Sequence, residues 1–297
     1  MAESSSHNDK KGEDRVELNY SILDDSSELI IGYCKSIDGL DGNIFNDGDF
    51  FYHKIKLLGF VFNMEFKKYL IKTKESIGRL AYICILDKEK NSIGKIPFTI
   101  YDDIYYHKIG FPDKVTDITW RGSLWEVVSD KETEIWNKWR ITYPVQKNEW
   151  SSLSKDSRRA WLKVVKNYNS NNSNYSEIEG NSFCLDGTYI TDYSSFFCAL
   201  GEAMNGPGGY YGFDLNSLID CFCGGFGAKA PFTLLWENHQ VGKRYLDKNC
   251  WVEEINYKRI LENKLLDYSG FEEKGDRPLF EALIENIQNH GVTVLLN

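Results

Sequence analysis

The stretch Pro207-Gly208-Gly209-Tyr210-Tyr211-Gly212-Phe213-Asp214-Leu215-Asn216-Ser217-Leu218-Ile219-Asp220-Cys221 runs from a glycine-rich turn straight into a short amphipathic helix. The glycines permit backbone angles that other residues resist, and Asp214 is a good N-cap. Leu215, Leu218, Ile219 and Phe222 fall at helical spacing on one face, while Asn216 and Asp220, four apart, share another. A tyrosine-bearing loop followed by a helix that presents a carboxylate suits a partner with positive charge and a flat contact area. Nothing in this stretch is arranged to break a bond.

On either side of the motif, strands and helices alternate. Ser182–Leu185 reads as a strand, Asp186-Gly187 as a turn, and Tyr193–Met204 as a helix with Phe196, Phe197 and Leu200 at core spacing. After the motif helix come a strand at Phe232–Trp236, helices at Ile255–Leu266 and Leu279–His290, and a closing strand after Gly291. Strands separated by helices imply an α/β domain, a small parallel sheet covered by helices.

Read together, these residues resemble the barstar family, protein inhibitors of the ribonuclease barnase, whose motif is roughly Pro-x-Tyr-Tyr-Gly-x-Asn-Leu-Asp-Ala-Leu-x-Asp-Cys-Leu. The chain keeps Tyr210, Tyr211, Gly212, Leu215, Leu218, Asp220 and Cys221. It departs at Asp214, where the family usually has asparagine, and at Asn216, where it usually has aspartate. The likeness covers about the last two-fifths of the chain, and it implies the same α/β fold. It also implies an intracellular, non-enzymatic inhibitor, or immunity protein, of a barnase-like or toxin ribonuclease. Tyr210, Tyr211, Gly212, Asn216 and Asp220 would be the partner-binding residues. In that role Asp220 would occupy the place of an RNA phosphate, Tyr210 would pack on the enzyme's rim, Gly212 would allow close approach, and Asn216 would hydrogen-bond without charge. A packing role for the two tyrosines within their own domain is the plainer alternative.

Charge supports a basic partner. From Asn181 onward there are 16 acidic and 9 basic residues, net -7, so most of the chain's net charge of -9 belongs to this part. An acidic surface repels nucleic acid and attracts basic proteins, and ribonucleases are commonly basic because they hold RNA phosphates. No direct contact with nucleic acid is expected. No apolar run approaches a membrane span, and seven cysteines without a disulfide framework fit reduced thiols and a cytoplasmic location.

Upstream, strand-like segments at Val16–Leu23, Leu29–Cys34, Phe51–Phe62, Leu80–Leu86 and Ile93–Ile100 indicate a mostly β domain. Pro97 is expected to confine its strand to an edge, and Leu124–Val128 reads as one more strand. A helix at about Lys155–Val165, capped by Ser154, precedes the polar tract Asn167-Tyr168-Asn169-Ser170-Asn171-Asn172-Ser173-Asn174, which has the composition of a linker. The organisation read from these signals is a disordered tail (1–15), a mostly β domain of unknown role (16–166), a polar linker (167–180) and the inhibitor-like α/β domain (181–297).

Enzymatic signals are weak. Cys221, Cys223, Cys250, His239 and His290 match no common zinc spacing and read as buried thiols and isolated imidazoles, so neither metal nor cofactor is expected. Gly224–Ala230 lacks the Gly-Lys-Ser/Thr ending of a phosphate loop and reads as a turn. The five histidines do not cluster with partners for acid–base work. Trp120, Trp125, Trp136, Trp139, Trp150 and Trp161 read as core or interface packing, and Asp102, Asp103, Tyr105 and Tyr106 stay ambiguous. Two alternatives remain: a module of this fold whose partner is not a ribonuclease, and an enzyme activity in the N-terminal domain.

Overall fold

Alternation of apolar and polar residues builds the first half as a closed sheet. The strands are β1 (Tyr20–Asp24), β2 (Ile30–Cys34), β3 (Ser36–Asp38), β4 (Ile44–Asn46), β5 (Phe51–Phe62), β6 (Leu80–Leu86), β7 (Ser92–Ile100) and β8 (Thr116–Leu124), with helix α1 (Met64–Thr73) after β5. They run in the order β2-β1-β6-β7-β8-β5, and β5 pairs back onto β2, so six strands form a barrel. Closure leaves no open edge between these strands. Ile55, Leu57, Phe60, Phe98, Ile100 and Trp120 fill the interior. The computed structural model describes residues 17–48, 50–74, 76–102, 114–172, 175–265 and 277–297, with the backbone alone for 258–265. The tail 1–15 and Asp103, Tyr105 and Tyr106 lie outside the described residues; Asp102 accepts a hydrogen bond from the Arg121 guanidinium at 2.8 Å.

Two strand expectations are corrected here. Pro97 is not on an edge, because β7 has β6 on one side and β8 on the other. Its missing N–H is tolerated because the β7–β8 register begins one residue later, at Phe98 opposite Leu124, while the Pro97 carbonyl still accepts from Trp125 N at 3.2 Å. The strand expected at Leu124–Val128 ends at Leu124 instead. The apolar residues after it precede Ser129, which caps helix α2 (Asp130–Trp139) in a capping box with Glu132.

The chain divides into two compact units, residues 1–86 with 96–125 and residues 87–95 with 126–297. The second contains α2, α3 (Lys155–Asn172), β9 (Ile178–Glu179), β10 (Ser182–Asp186), α4 (Tyr193–Asn205), α5 (Leu215–Phe222), β11 (Ala228–Lys229), β12 (Phe232–Glu237), α6 (His239–Tyr245), α7 (Lys248–Leu265), α8 (Leu279–Asn289) and β13 (Val292–Leu296). Strands β10, β12 and β13 form a parallel sheet, in register Leu185↔Trp236↔Leu296. Phe196 and Phe197 of α4 and Leu283 of α8 are fully buried with Trp236 in this core, each worth roughly 1.5–3 kcal/mol relative to exposure. A parallel sheet covered by helices was legible in the alternation of elements.

Most of the polar tract is helical. Asn167–Asn172 form the last turns of α3, and Asn169 is buried. The helices α2 and α3, expected inside the β domain, belong to the second unit. Their tryptophans pack together: Trp136, Trp139 and Trp161 are buried, as is Trp150 between the two helices in sequence, and Trp139 meets Trp161 edge-on at 5.2 Å. Trp125 is the exception among the six, 61% exposed.

Candidate protein-binding loop and helix

Helix α4 stops at Gly206, whose φ of +78° a side chain would resist, and the chain then turns through Pro207–Phe213 before α5. Asp214 starts α5 with a capping box: Ser217 N donates to Asp214 Oδ1 at 2.8 Å, and Asp214 N donates to Ser217 Oγ at 3.0 Å. Leu215 N, a further end group of the helix, donates to Tyr193 Oη at 3.2 Å. Asp214 therefore replaces the family's asparagine without loss of the cap, and its carboxylate sits at the positive end of the helix.

Asn216 and Asp220 are exposed. Among the described residues the Asp220 carboxylate makes no hydrogen bond and no ion pair. The other three residues expected to face a partner are buried. Tyr211 has no exposed surface, and its hydroxyl donates to the Ala228 carbonyl at 2.8 Å, tying the loop to β11. Burial pushes that hydroxyl's pKa far above its ordinary value. Its side chain is a core residue of its own domain, as the packing alternative expects. Tyr210 is 8% exposed and packs on Phe226 at 5.7 Å, its hydroxyl likewise raised by burial. Gly212, at φ +85°, is where the backbone passes closest to α5: an added Cβ would lie 3.1 Å from Leu218 Cα.

Residues outside the loop hold it in place. Asn205 Nδ2 donates to Tyr210 O at 2.7 Å and to Phe226 O at 2.9 Å, clasping the chain on both sides of α5. Gly208 O accepts from Tyr143 Oη at 2.8 Å and from Asn169 Nδ2 at 3.1 Å. Tyr175 Oη donates in turn to Asn169 Oδ1. At the rim, Lys166 Nζ lies 4.9 Å from the ring centre of Phe213. None of Asn205, Tyr143, Asn169 or Tyr175 was singled out by the sequence reading, and no local pattern marks them.

The remaining sequence candidates separate in the same way. Cys221 is fully buried, its thiol pushed up to about 12 by burial and then by Asp220, whereas Cys223, expected to be buried, is exposed. The helix explains this, since residues two apart point in different directions. Gly224, Gly225 and Gly227 have φ of +111°, +84° and +97° and lead from α5 into β11, a turn with no helix after it to receive a phosphate. Among the described residues, no group of three or more His, Cys, Asp or Glu is placed to hold a metal ion.

The capped helix α5 thus carries the exposed Asp220 carboxylate beside a loop held by hydrogen bonds to its backbone. Residues 181–255 match the Barstar (barnase inhibitor) family. Residues 181–255 thus carry a barstar-family domain, and the match ends within α7, before α8 and the third strand of the sheet, β13. No curated protein and no solved structure matches the chain. No described helix is long and apolar enough to cross a membrane.

Proposed function

We propose that the chain is a non-enzymatic, cytoplasmic inhibitor of a basic ribonuclease, of the barnase or toxin type, and acts as its immunity protein. The observation that carries this reading is the barstar-family match over the very loop and helix whose one unpaired carboxylate, Asp220, faces solvent. In this role Asp220 enters the cationic site where an RNA phosphate would sit, and Asn216 adds a neutral hydrogen bond beside it. Tyr210 borders the contact with its small exposed edge, while Tyr211 and Gly212 fix the shape of the surface from beneath. The concentration of negative charge after residue 181 steers a basic partner toward this half of the molecule.

The test is an RNA-cleavage assay with barnase as the enzyme. Added chain should abolish cleavage stoichiometrically and should cleave no RNA by itself. RNA cleavage by the purified chain would sink the reading. Asn216, neutral where the family carries a charge, favours one second reading: a barstar-family module adapted to a partner that is not a ribonuclease. A tightly captured partner devoid of ribonuclease activity, together with no effect on barnase, would select it.

A further inference from the structure

Buried polar groups are nearly always paired, and a pair made across a long sequence separation fixes two segments at once. Gly208 O, at the top of the contact loop, receives two such donors, Tyr143 Oη from 65 residues away and Asn169 Nδ2 from 39 residues away. Asn169 is 7% exposed and anchors its own helix as well, donating to Val165 O at 2.7 Å. Its amide oxygen accepts from Tyr175 Oη, and the same hydroxyl lies 3.5 Å from Tyr210 N, so the network returns to the loop two residues after Gly208. Tyr143 is itself immobilised, stacked on Tyr168 at 4.5 Å and edge-on to Trp139 at 5.0 Å. Gly208 has φ +67°, and an added Cβ would lie 2.7 Å from Tyr143 Oη, so the absence of a side chain there makes room for the tyrosine.

Tyr143, Asn169 and Tyr175 all precede residue 181, where the family match begins. We propose that the binding unit extends to described residues before the family match, and that Tyr143, Asn169 and Tyr175 are positioning residues for the partner-facing loop. Their effect on recognition rests on the function proposed above. Their effect on the loop does not. Holding the loop in one conformation before encounter removes the ordering cost that association would otherwise bear. The last turns of α3 are therefore a brace, and a domain cut at residue 181 would lose it.

The experiment uses the full chain in four forms: wild type, Tyr143→Phe, the double variant Tyr143→Phe with Asn169→Leu, and Tyr168→Phe. Tyr168→Phe serves as control, because it removes a hydroxyl from the same aromatic cluster that makes no hydrogen bond to the loop. Amide hydrogen exchange over residues 205–213 should rise about five-fold for the single variant and about twenty-five-fold for the double, with no rise in the control. Exchange in β10 and β12 should stay constant. Unchanged loop exchange would overturn the proposal, and so would an equal rise across β10 and β12, which would mean that these groups hold the whole unit.

Barnase binding supplies the second arm. If wild type binds, affinity should fall by the same factors in the same order. Full affinity in a variant whose loop exchange has risen would overturn the role in recognition. Failure of wild type to bind barnase would count against the proposed function, and the exchange comparison would still decide whether α3 braces the loop.

Discussion

Asp220→Asn removes one charge from α5 and leaves its shape, and two opposite effects should follow. Helix α5 spans Leu215–Phe222, so Asp220 lies in its last turn, where unpaired carbonyls carry partial negative charge. A carboxylate there opposes the helix dipole, and at an exposed position the penalty is about 0.3–0.5 kcal/mol. No cation pairs with this carboxylate among the described residues, so nothing offsets it. The variant should therefore be slightly more stable, with Tm higher by about 1–2 °C at low salt and by less at high salt. Binding should move the other way. Truncating one partner of a desolvated charge pair weakens association by roughly 2–5 kcal/mol, a range that includes the barnase–barstar pair itself and so carries over from the family. That corresponds to about thirty-fold to several-thousand-fold in affinity. Thermal scans and calorimetric titration with barnase, each at two salt concentrations, measure both effects. A fall in Tm of several degrees would show that Asp220 has a stabilising partner within the chain. Unchanged affinity would falsify its place in the interface.

Asn216→Asp puts a charge at the second position of the same helix, where the dipole favours it, so Tm should rise by a similar amount; barnase affinity should increase if the site matches the family's and stay level or fall if the chain has adapted to another enzyme. Tyr211→Phe removes the buried hydrogen bond to Ala228 O and should destabilise by about 1 kcal/mol, lowering Tm by about 2–4 °C in thermal scans. Iodoacetamide at pH 8 should label Cys223 well before Cys221 and Cys250, whose thiols burial pushes up to about 12 and about 11, as peptide mass spectrometry would read. Unfolding lets those two protons leave, so their contribution to stability is complete below about pH 8.5, where an unfolded thiol titrates, and declines as pH rises from there through the folded values. Proteinase K should spare Asn167–Asn172; early cleavage there would contradict the helix.

Much of the fold was legible because its signals are local. Aliphatic and aromatic enrichment between turn signals gave β5 and β6 with their observed ends, and the glycine stop at Gly291 gave the end of α8 before β13. Signals fail where neighbours far away in sequence decide. Pro97 reads as an edge residue until β8 is known to pair from Phe98 onward. The Asn/Ser tract reads as a linker because composition records what side chains prefer in water. It cannot record that Asn169 is given a carbonyl, Gly208 O, to bond inside the protein. Once that partner exists, a buried asparagine is a fixed point, and the residues around it continue the helix.

The two tyrosines of the motif show the same limit at the site itself. Sequence places Tyr210 and Tyr211 beside Asp220 and Asn216, and adjacency suggests a shared surface. The alternation of direction along the chain separates them: Tyr211 turns inward to the Ala228 carbonyl, while Asp220, on the outer side of α5, stays in water. The connection between them is mechanical. Tyr211 ties the loop before α5 to the strand after it, Leu218 packs beneath the helix against Gly212, and Asn205 clasps the same two segments. The position of the Asp220 carboxylate is thereby set from inside the domain. Substitutions that loosen Tyr211, Asn205 or Gly212 should act on affinity without touching the partner, because they widen the range of places in which the charge can be found.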